Sequence, residues 1–304
     1  MTRHFNNLTK FLEYFRMAAP EHPLLSYQEY DFGDDIASCK PVKLEPYSTD
    51  FYSITLKKVT SGEMYYGNTK YDFKNGILML FPPNKRFEFK NVSMSGKSYS
   101  LIFHKDFLID TPLQDSIHKF GYFSYAVNEA LHLSQKEEDK IIQIFNNIAD
   151  EYHNNIDEFS KDLIITNIDG LLKYSERFYR RQFITRKVIN NGLLDKFNTL
   201  IEKLYASNTE GELKIPKVEE LAEGLKLTPR YLSDLLKNET GKTAIENIHL
   251  FLINKSKELL LGTDITVSEI AYLLGFEYPH YYSRLFKKTE GVTPTQYRKE
   301  YMGN

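Results

Sequence analysis

Two sets of side chains, fifty positions apart, have the types and spacing to make hydrogen bonds along one face of a helix. The first is Arg230, Ser233, Asp234 and Lys237; the second is Pro279, His280, Ser283, Arg284 and Lys287. Residues three and four apart share a helix face, so each set forms a polar stripe. Guanidinium, imidazole and hydroxyl groups arranged this way reach base edges and phosphate oxygens in a DNA groove. Tyr231, Leu232, Leu235 and Leu236 in the first set, and Tyr282, Leu285 and Phe286 in the second, fall on the opposite side and are expected in a core. A single stripe of this kind is ordinarily a solvated surface. Its recurrence argues for chemistry.

The recurrence extends beyond the stripes. Residues 230–241 align with 280–291 at an offset of 50, with Tyr, Ser, Leu, Lys and Gly identical, and Leu221 and Ala222 align with Ile270 and Ala271 at an offset of 49. Self-similarity over this length marks one supersecondary motif used twice. In the second copy Thr266 and Glu269 form a capping box, Ala271 is small where two helices cross, Gly275 permits a positive φ, and Pro279 suits a first helical turn. That is the layout of a helix-turn-helix. The first copy has Thr228 as cap and Pro229 after it, with Lys226 where Gly275 stands, which strains or shifts its turn. A helix over 244–261 separates the copies, with Ile245, Ile248, Leu252, Leu259 and Leu260 as its apolar stripe. At 1.5 Å per residue it spans roughly 27 Å, enough to hold two recognition helices about one DNA turn (~34 Å) apart.

The elements that position these residues sit in a chain of 304 residues, long enough for two domains. Charged residues make up 26% and the mean hydropathy is −0.45, which describes a globular chain without a membrane span. The opening residues lead into no apolar secretory run, so a cytoplasmic location is expected. The lone Cys39 has no internal disulfide partner. The net charge of −2, and equal numbers of basic and acidic residues over 217–304 (twelve of each), mean that attraction to phosphate depends on where charges sit. The first 130 residues read as β, with strand candidates at 52–57, 77–81, 87–90 and 98–103 separated by Gly- and Asn-containing turns, a pattern for a small barrel or sandwich. Ser134 and Glu137 then cap a helix carrying Ile141, Ile144, Phe145, Ile148 and Tyr152, and a second helix carries Leu163, Ile164, Ile168, Leu171, Leu172 and Tyr174. Residues 136–162 carry a net charge of −5 and 173–203 a net +5, which fits pairing between helices or between subunits. Residues 206–211 are polar and aperiodic, as a linker is.

Other chemistries lack their residues. There is no His-x-His, His104 is the only histidine in the strand region, and no Gly-rich phosphate loop or Ser/His/Asp set appears. No enzyme activity, cofactor or metal is expected.

Residues 215–304 resemble the DNA-binding domain of the AraC/XylS family. The resemblance rests on Ile270 to Phe276, on Tyr282 to Lys288, and on Gly291-Val292-Thr293-Pro294 with Gln296, Tyr297, Arg298 and Lys299. It implies seven helices, with those near 228–238 and 278–288 entering successive major grooves of an operator. Arg230, Ser233, Asp234, Pro279, His280, Ser283 and Arg284 fall where family members contact DNA, and Arg284 matches most closely. Two positions depart from the pattern: Leu252 stands where the family usually has Arg, and Asp234 where a base is common. Less specifically, residues 1–205 resemble the regulatory or dimerisation half of such regulators, a cupin-like β domain over 1–130 with appended helices over 131–205. By that analogy an effector pocket is lined by Tyr52, Ile54, Phe81, Phe87 and Phe103, a set that equally fills a core. The expected architecture is therefore α+β in two domains. The second, after a linker at 206–214, is an all-α domain at 215–304 with two helix-turn-helix motifs joined by a linker helix. The implied function is a transcription regulator, with double-stranded DNA, a small-molecule effector, RNA polymerase and a second copy of the chain as partners and no membrane. The alternative is an effector-binding or scaffold protein whose DNA reader is degenerate. Activation or repression depends on operator position and is not written in these residues.

Overall fold

The computed structural model describes residues 3–31, 47–57, 76–84, 96–125, 129–154, 157, 159–186, 192–207 and 214–302. Phe87, Cys39 and the strand expected at 87–90 lie outside the described residues. The chain divides into two units, 1–183 and 184–304.

In the first unit, β1 (Arg3–Phe5) and β3 (Tyr47–Thr49) form a parallel pair, with the short helix α1 (Leu8–Tyr14) between them in sequence. A five-stranded antiparallel sheet follows the order β2 (Leu25–Asp31), β6 (Lys97–His104), β4 (Phe51–Lys57), β5 (Ile77–Phe81) and β7 (Leu131–His132). Of the runs expected to be strands, 52–57, 77–81 and 98–103 are strands. Central β6 is buried at every position from Ser98 to Phe103, because both its faces are covered and both its edges are paired. The helix α2 (Gln135–His153) starts at the capping box read from the sequence, where the Ser134 amide donates to Glu137 Oε2 at 2.8 Å. Its stripe of Ile141, Ile144, Phe145, Ile148 and Tyr152 is buried. Phe145 stacks on Tyr99 of β6 at 5.8 Å between ring centres, which fixes the face of the sheet that α2 covers.

Side chains alternate along a strand, so directly paired residues share a face. Tyr52 pairs with Phe103 and Ile54 with Leu101, in the α2-facing rows of Tyr99. Phe81 pairs with Ser53 and lies on the opposite face. The set expected to line one pocket is therefore split. Tyr52 stacks on Phe103 at 5.3 Å and meets Phe123 edge-on, while Phe81 packs beside Ile77, Met79 and Ala130. Choosing large apolar residues selected for core filling, since the helix-covered face is the apolar one. The opposite face is buried too, yet it carries Ser26, Gln28, Thr55, Ser98 and Ser100.

The long helix α3 (Ser160–Arg186) buries Ile164, Ile165, Ile168, Leu171 and Leu172, while Leu163, expected on this stripe, is 46% exposed. Arg181 on α3 grips Glu137 on α2 with both ends of its guanidinium (Nε to Oε1 3.0 Å, Nη2 to Oε2 2.6 Å). Part of the charge asymmetry between the two segments is thus consumed between helices of one chain.

The next helix, α4 (Leu193–Ser207), corrects the expected boundary at 205. Phe197 and Ile201 are buried in one cluster with Leu221, Ala222, Leu232 and Leu236, so α4 belongs to the C-terminal unit. Helical periodicity alone does not name the surface a helix packs on. With α5 (Val218–Gly224), α6 (Pro229–Thr240), α7 (Ala244–Gly262), α8 (Val267–Leu273), α9 (Pro279–Glu290) and α10 (Pro294–Met302), seven helices lie wholly within this unit's described residues. The count implied for 215–304 is reached only by including α4.

Candidate nucleic-acid interface

The two polar stripes sit on α6 and α9, twelve residues each, and the same local chemistry begins and ends both helices. Each has Pro in its first turn, where the missing N–H costs nothing, and each stops at a left-handed Gly, Gly241 at φ 76° and Gly291 at φ 81°. Thr228 caps α6 by accepting from the Tyr231 amide at 3.3 Å. A short helix precedes each: α5 packs on α6, and α8 on α9. The turn before α9 places Gly275 at φ 87°, and the turn before α6 places Lys226 at φ 59°. Lys226 therefore leaves the turn in position and bears the strain, about 1–2 kcal/mol for a side chain in that region.

The linker helix α7 serves two cores. Ala244, Ile248 and Leu252 pack with α4, α5 and α6, whereas Ile253 and Leu260 pack with Ile270, Ala271, Leu274, Tyr282 and Phe286 of α8 and α9. Leu252 is fully buried, which accounts for an apolar residue at a position where the family pattern has Arg. Ile245, expected in the apolar stripe, is 45% exposed instead. Two polar bonds fix α7 against the second helix pair and α10. Ser256 and the Tyr282 hydroxyl, both in fully buried residues, bond at 2.5 Å, and Arg298 on α10 donates from Nε to the Leu260 carbonyl near the end of α7. Lys257 pairs with Glu290 at 2.7 Å.

The expected faces are largely those observed. Tyr231, Leu232, Leu235 and Leu236 are buried, as are Tyr282 and Phe286, with Leu285 half-buried. Arg230 and Lys237 are exposed on α6, and His280, Arg284 and Lys287 on α9, while Pro279 and Ser283 are half-buried. On α6 the stripe is partly spent within the protein. Arg230 Nε donates to Asp234 Oδ2 at 2.9 Å, and Ser233 Oγ accepts from the Ala244 amide at 3.3 Å, at the start of α7. On α9, Arg284 and Lys287 have no ion-pair partner among the described residues. The surplus of positive charge therefore lies on the second stripe, with Lys288 exposed beside it.

Sequence reasoning missed the aromatic residues at the head of α9. Tyr278 and Tyr281 are 49% and 55% exposed, and His280 lies against Tyr281 at 4.2 Å between ring centres. Tyr281 aligns with Tyr231, which is buried, so the identity within the repeat hides opposite orientations. The available signal was helical spacing: Tyr281 is three residues before Arg284 and shares its face.

Residues 221–300 match the family model described as a helix-turn-helix domain. Residues 221–300 are thus similar to AraC-type helix-turn-helix domains. The HTH-type transcriptional regulator YtdP of Bacillus subtilis (strain 168) is 28% identical over 41% of this chain and 17% of its own length. The xylose operon regulatory protein of Escherichia coli (strain K12) is 29% identical over 27% of this chain and 21% of its own length. This chain thus covers well under half of either relative. Among solved structures, the C-terminal domain of the response regulator yesN from Fusobacterium nucleatum is 32% identical, covering 34% of this chain and 95% of that one, with a TM-score of 0.30.

Proposed function

We propose that this chain is a sequence-specific, double-stranded-DNA-binding transcription regulator in which α6 and α9 are the recognition helices of two helix-turn-helix units. The duplicated helix–turn–helix geometry, with Pro in both first turns, matching left-handed stops and outward polar stripes, carries the reading. The nineteen residues of α7 span roughly 28 Å at 1.5 Å per residue, a length suited to placing two readers about one helical turn (~34 Å) apart. The units are unequal. Arg284, His280, Ser283 and Lys287 anchor the complex with Pro279 starting their helix, while Arg230, Ser233, Asp234 and Lys237 tune it.

In vitro selection of bound duplexes from a random pool tests this directly. Two enriched sub-motifs about one turn apart, the one read by α9 more sharply defined, are the expected result. A single sub-motif would show that one unit alone reads bases, and no enrichment would refute sequence-specific reading.

The first unit serves as the regulatory domain, a cupin-like β domain controlled by a small-molecule effector or by dimerisation. Exposed Phe159 and Leu163 around the start of α3 offer an apolar surface for a second copy. RNA polymerase is the expected further partner on DNA. Sedimentation of the full chain with and without operator duplex reads the dimer; a monomer under both conditions would remove that part of the proposal.

A further inference from the structure

The two helix pairs, α5 with α6 and α8 with α9, are joined by α7, and each packs a core of its own. Tyr205 and Phe276 are the described side chains that pack against both cores. Phe276 lies in the turn between α8 and α9, against Tyr282 at 5.6 Å between ring centres. Tyr205 comes from the last turn of α4, a helix seated on the first pair. Phe197 and Ile201 of α4 are buried there, and Leu200 sits so close to Gly224 at the end of α5 that a Cβ on this glycine would lie 2.6 Å from Leu200 Cδ2. The Tyr205 ring meets Phe251 of α7 edge-on at 5.5 Å, and its hydroxyl donates to the Leu273 carbonyl at 3.0 Å. Leu273 ends α8, and the last carbonyls of a helix have no partner within it. An element anchored in the first pair thus caps the second.

Packing on α7 alone would leave each pair free to rock about that helix. At the end of a lever of roughly 28 Å, the length of α7, a swing of about 7° displaces a recognition helix by ~3.4 Å, one base-pair step of a duplex. The spacing of two sub-motifs is therefore read only as sharply as this angle is held. We propose that Tyr205 is a positioning residue for DNA reading: by tying α4 to the end of α8 it fixes the separation of α6 and α9, and with it the operator spacing that the chain accepts. Burial pushes the Tyr205 hydroxyl above the ordinary tyrosine range, so it remains a donor. The consequence for spacing rests on α6 and α9 both reading DNA; the tie itself does not.

Two measurements on the full chain test this. Spin labels at Asn238→Cys on α6 and Thr289→Cys on α9, both exposed positions, in a Cys39→Ser background, report the separation of the two helices without DNA by double electron–electron resonance. The parent should give one narrow distance distribution, and Tyr205→Phe, which keeps the ring and loses the hydroxyl, a broader one. Titration with the selected duplex, and with duplexes whose sub-motifs stand one base pair closer or farther apart, then reads the spacing penalty. The shift should cost the parent about tenfold, the scale of one mismatched base pair. Tyr205→Phe should reduce that cost about threefold, the net weight of one partly solvated hydrogen bond. Leu194→Ala, at the opposite end of α4 and packed in the first core alone, should lower the melting temperature and leave distribution and penalty unchanged. If it alters both as Tyr205→Phe does, general loosening of α4 explains the effect and the proposal falls. An unbroadened distribution in Tyr205→Phe overturns the tie, and a broadened one with an unchanged spacing penalty overturns its role in reading. If the parent selects a single sub-motif, the two-reader function fails and the spacing role falls with it, while the distance distribution still decides the tie.

Discussion

Replacing Asp234 by Asn should strengthen operator binding, and the structure supplies the size of the effect. Asp234 holds Arg230 at 2.9 Å in an i,i+4 pair whose side chains are 26% and 53% exposed. Such partly solvated pairs contribute about 0.3–0.5 kcal/mol, so the fold loses little when the pair is broken. On DNA the change removes a carboxylate from the reading face and frees a guanidinium for phosphate. Each phosphate neutralised adds roughly 0.9 to the slope of log affinity against log salt. Asp234→Asn should therefore steepen that slope by about 0.9, and its advantage should shrink about 3.5-fold between 50 and 200 mM salt. An advantage of roughly fivefold or more at the lower salt corresponds to about 1 kcal/mol, the scale of one charge-assisted hydrogen bond net of solvation. Fluorescence anisotropy with a selected duplex at five salt concentrations measures both quantities. Weaker binding with an unchanged slope would refute the argument, and would mean that Asp234 accepts from a cytosine amino group rather than restraining Arg230.

Arg284→Ala should weaken binding by about 1–3 kcal/mol and relax base preference at one position, whereas Lys287→Ala should reduce the salt slope by about 0.9 with little change in preference; selection and titration of both variants check this. Tyr282→Phe strands the buried Ser256 hydroxyl and should destabilise the second helix pair by about 1–3 kcal/mol, with Ser256→Ala/Tyr282→Phe recovering part of the loss in urea unfolding; additive single effects would deny the coupling. In the two turns the signs should oppose: Gly275→Ala lowers the melting temperature, since its φ of 87° excludes a side chain at low cost, while Lys226→Gly raises it by relieving strain at φ 59°. His249 on α7 is held below the ordinary histidine range, first by burial and then by Lys288. A group with a lowered folded pKa contributes stability that is complete above its unfolded value, about 6.5, and is lost as pH falls below it. Melting measured from pH 7.5 to 5 should fall less in His249→Gln than in the parent chain.

Much of the DNA-binding unit was legible because its signals are local. Caps at Thr228 and Thr266, Pro at the two helix starts and Gly at the two stops act within one turn of chain, and the repeat supplied the Pro and the Gly twice. The faces of α6 and α9 followed from spacing alone. Lys226 shows the limit: its mismatch with Gly275 was visible, but whether the turn would move or strain depended on the packing of α5 against α6.

The polar stripes themselves were determined by the sequence, through helical period and residue type. How much of each stripe remains available was decided only by tertiary structure. Rotamer and packing turned Arg230 onto Asp234 and drew Ser233 to the start of α7, while leaving Arg284 and Lys287 outward. They also turned Tyr281 out where its repeat partner Tyr231 turns in, because Tyr282 fills the second core beside Ser256. In the first unit the period of two showed which residues alternate along a strand, but strand pairing decided which face each set joined. That pairing separated Phe81 from Tyr52, Ile54 and Phe103 and gathered Thr55 with Ser98 and Ser100. Likewise α4 carries an amphipathic stripe, and only contact with Leu221 and Leu232 assigned it to the C-terminal unit. A sequence specifies which faces are apolar; which surface each face meets is a property of the whole chain.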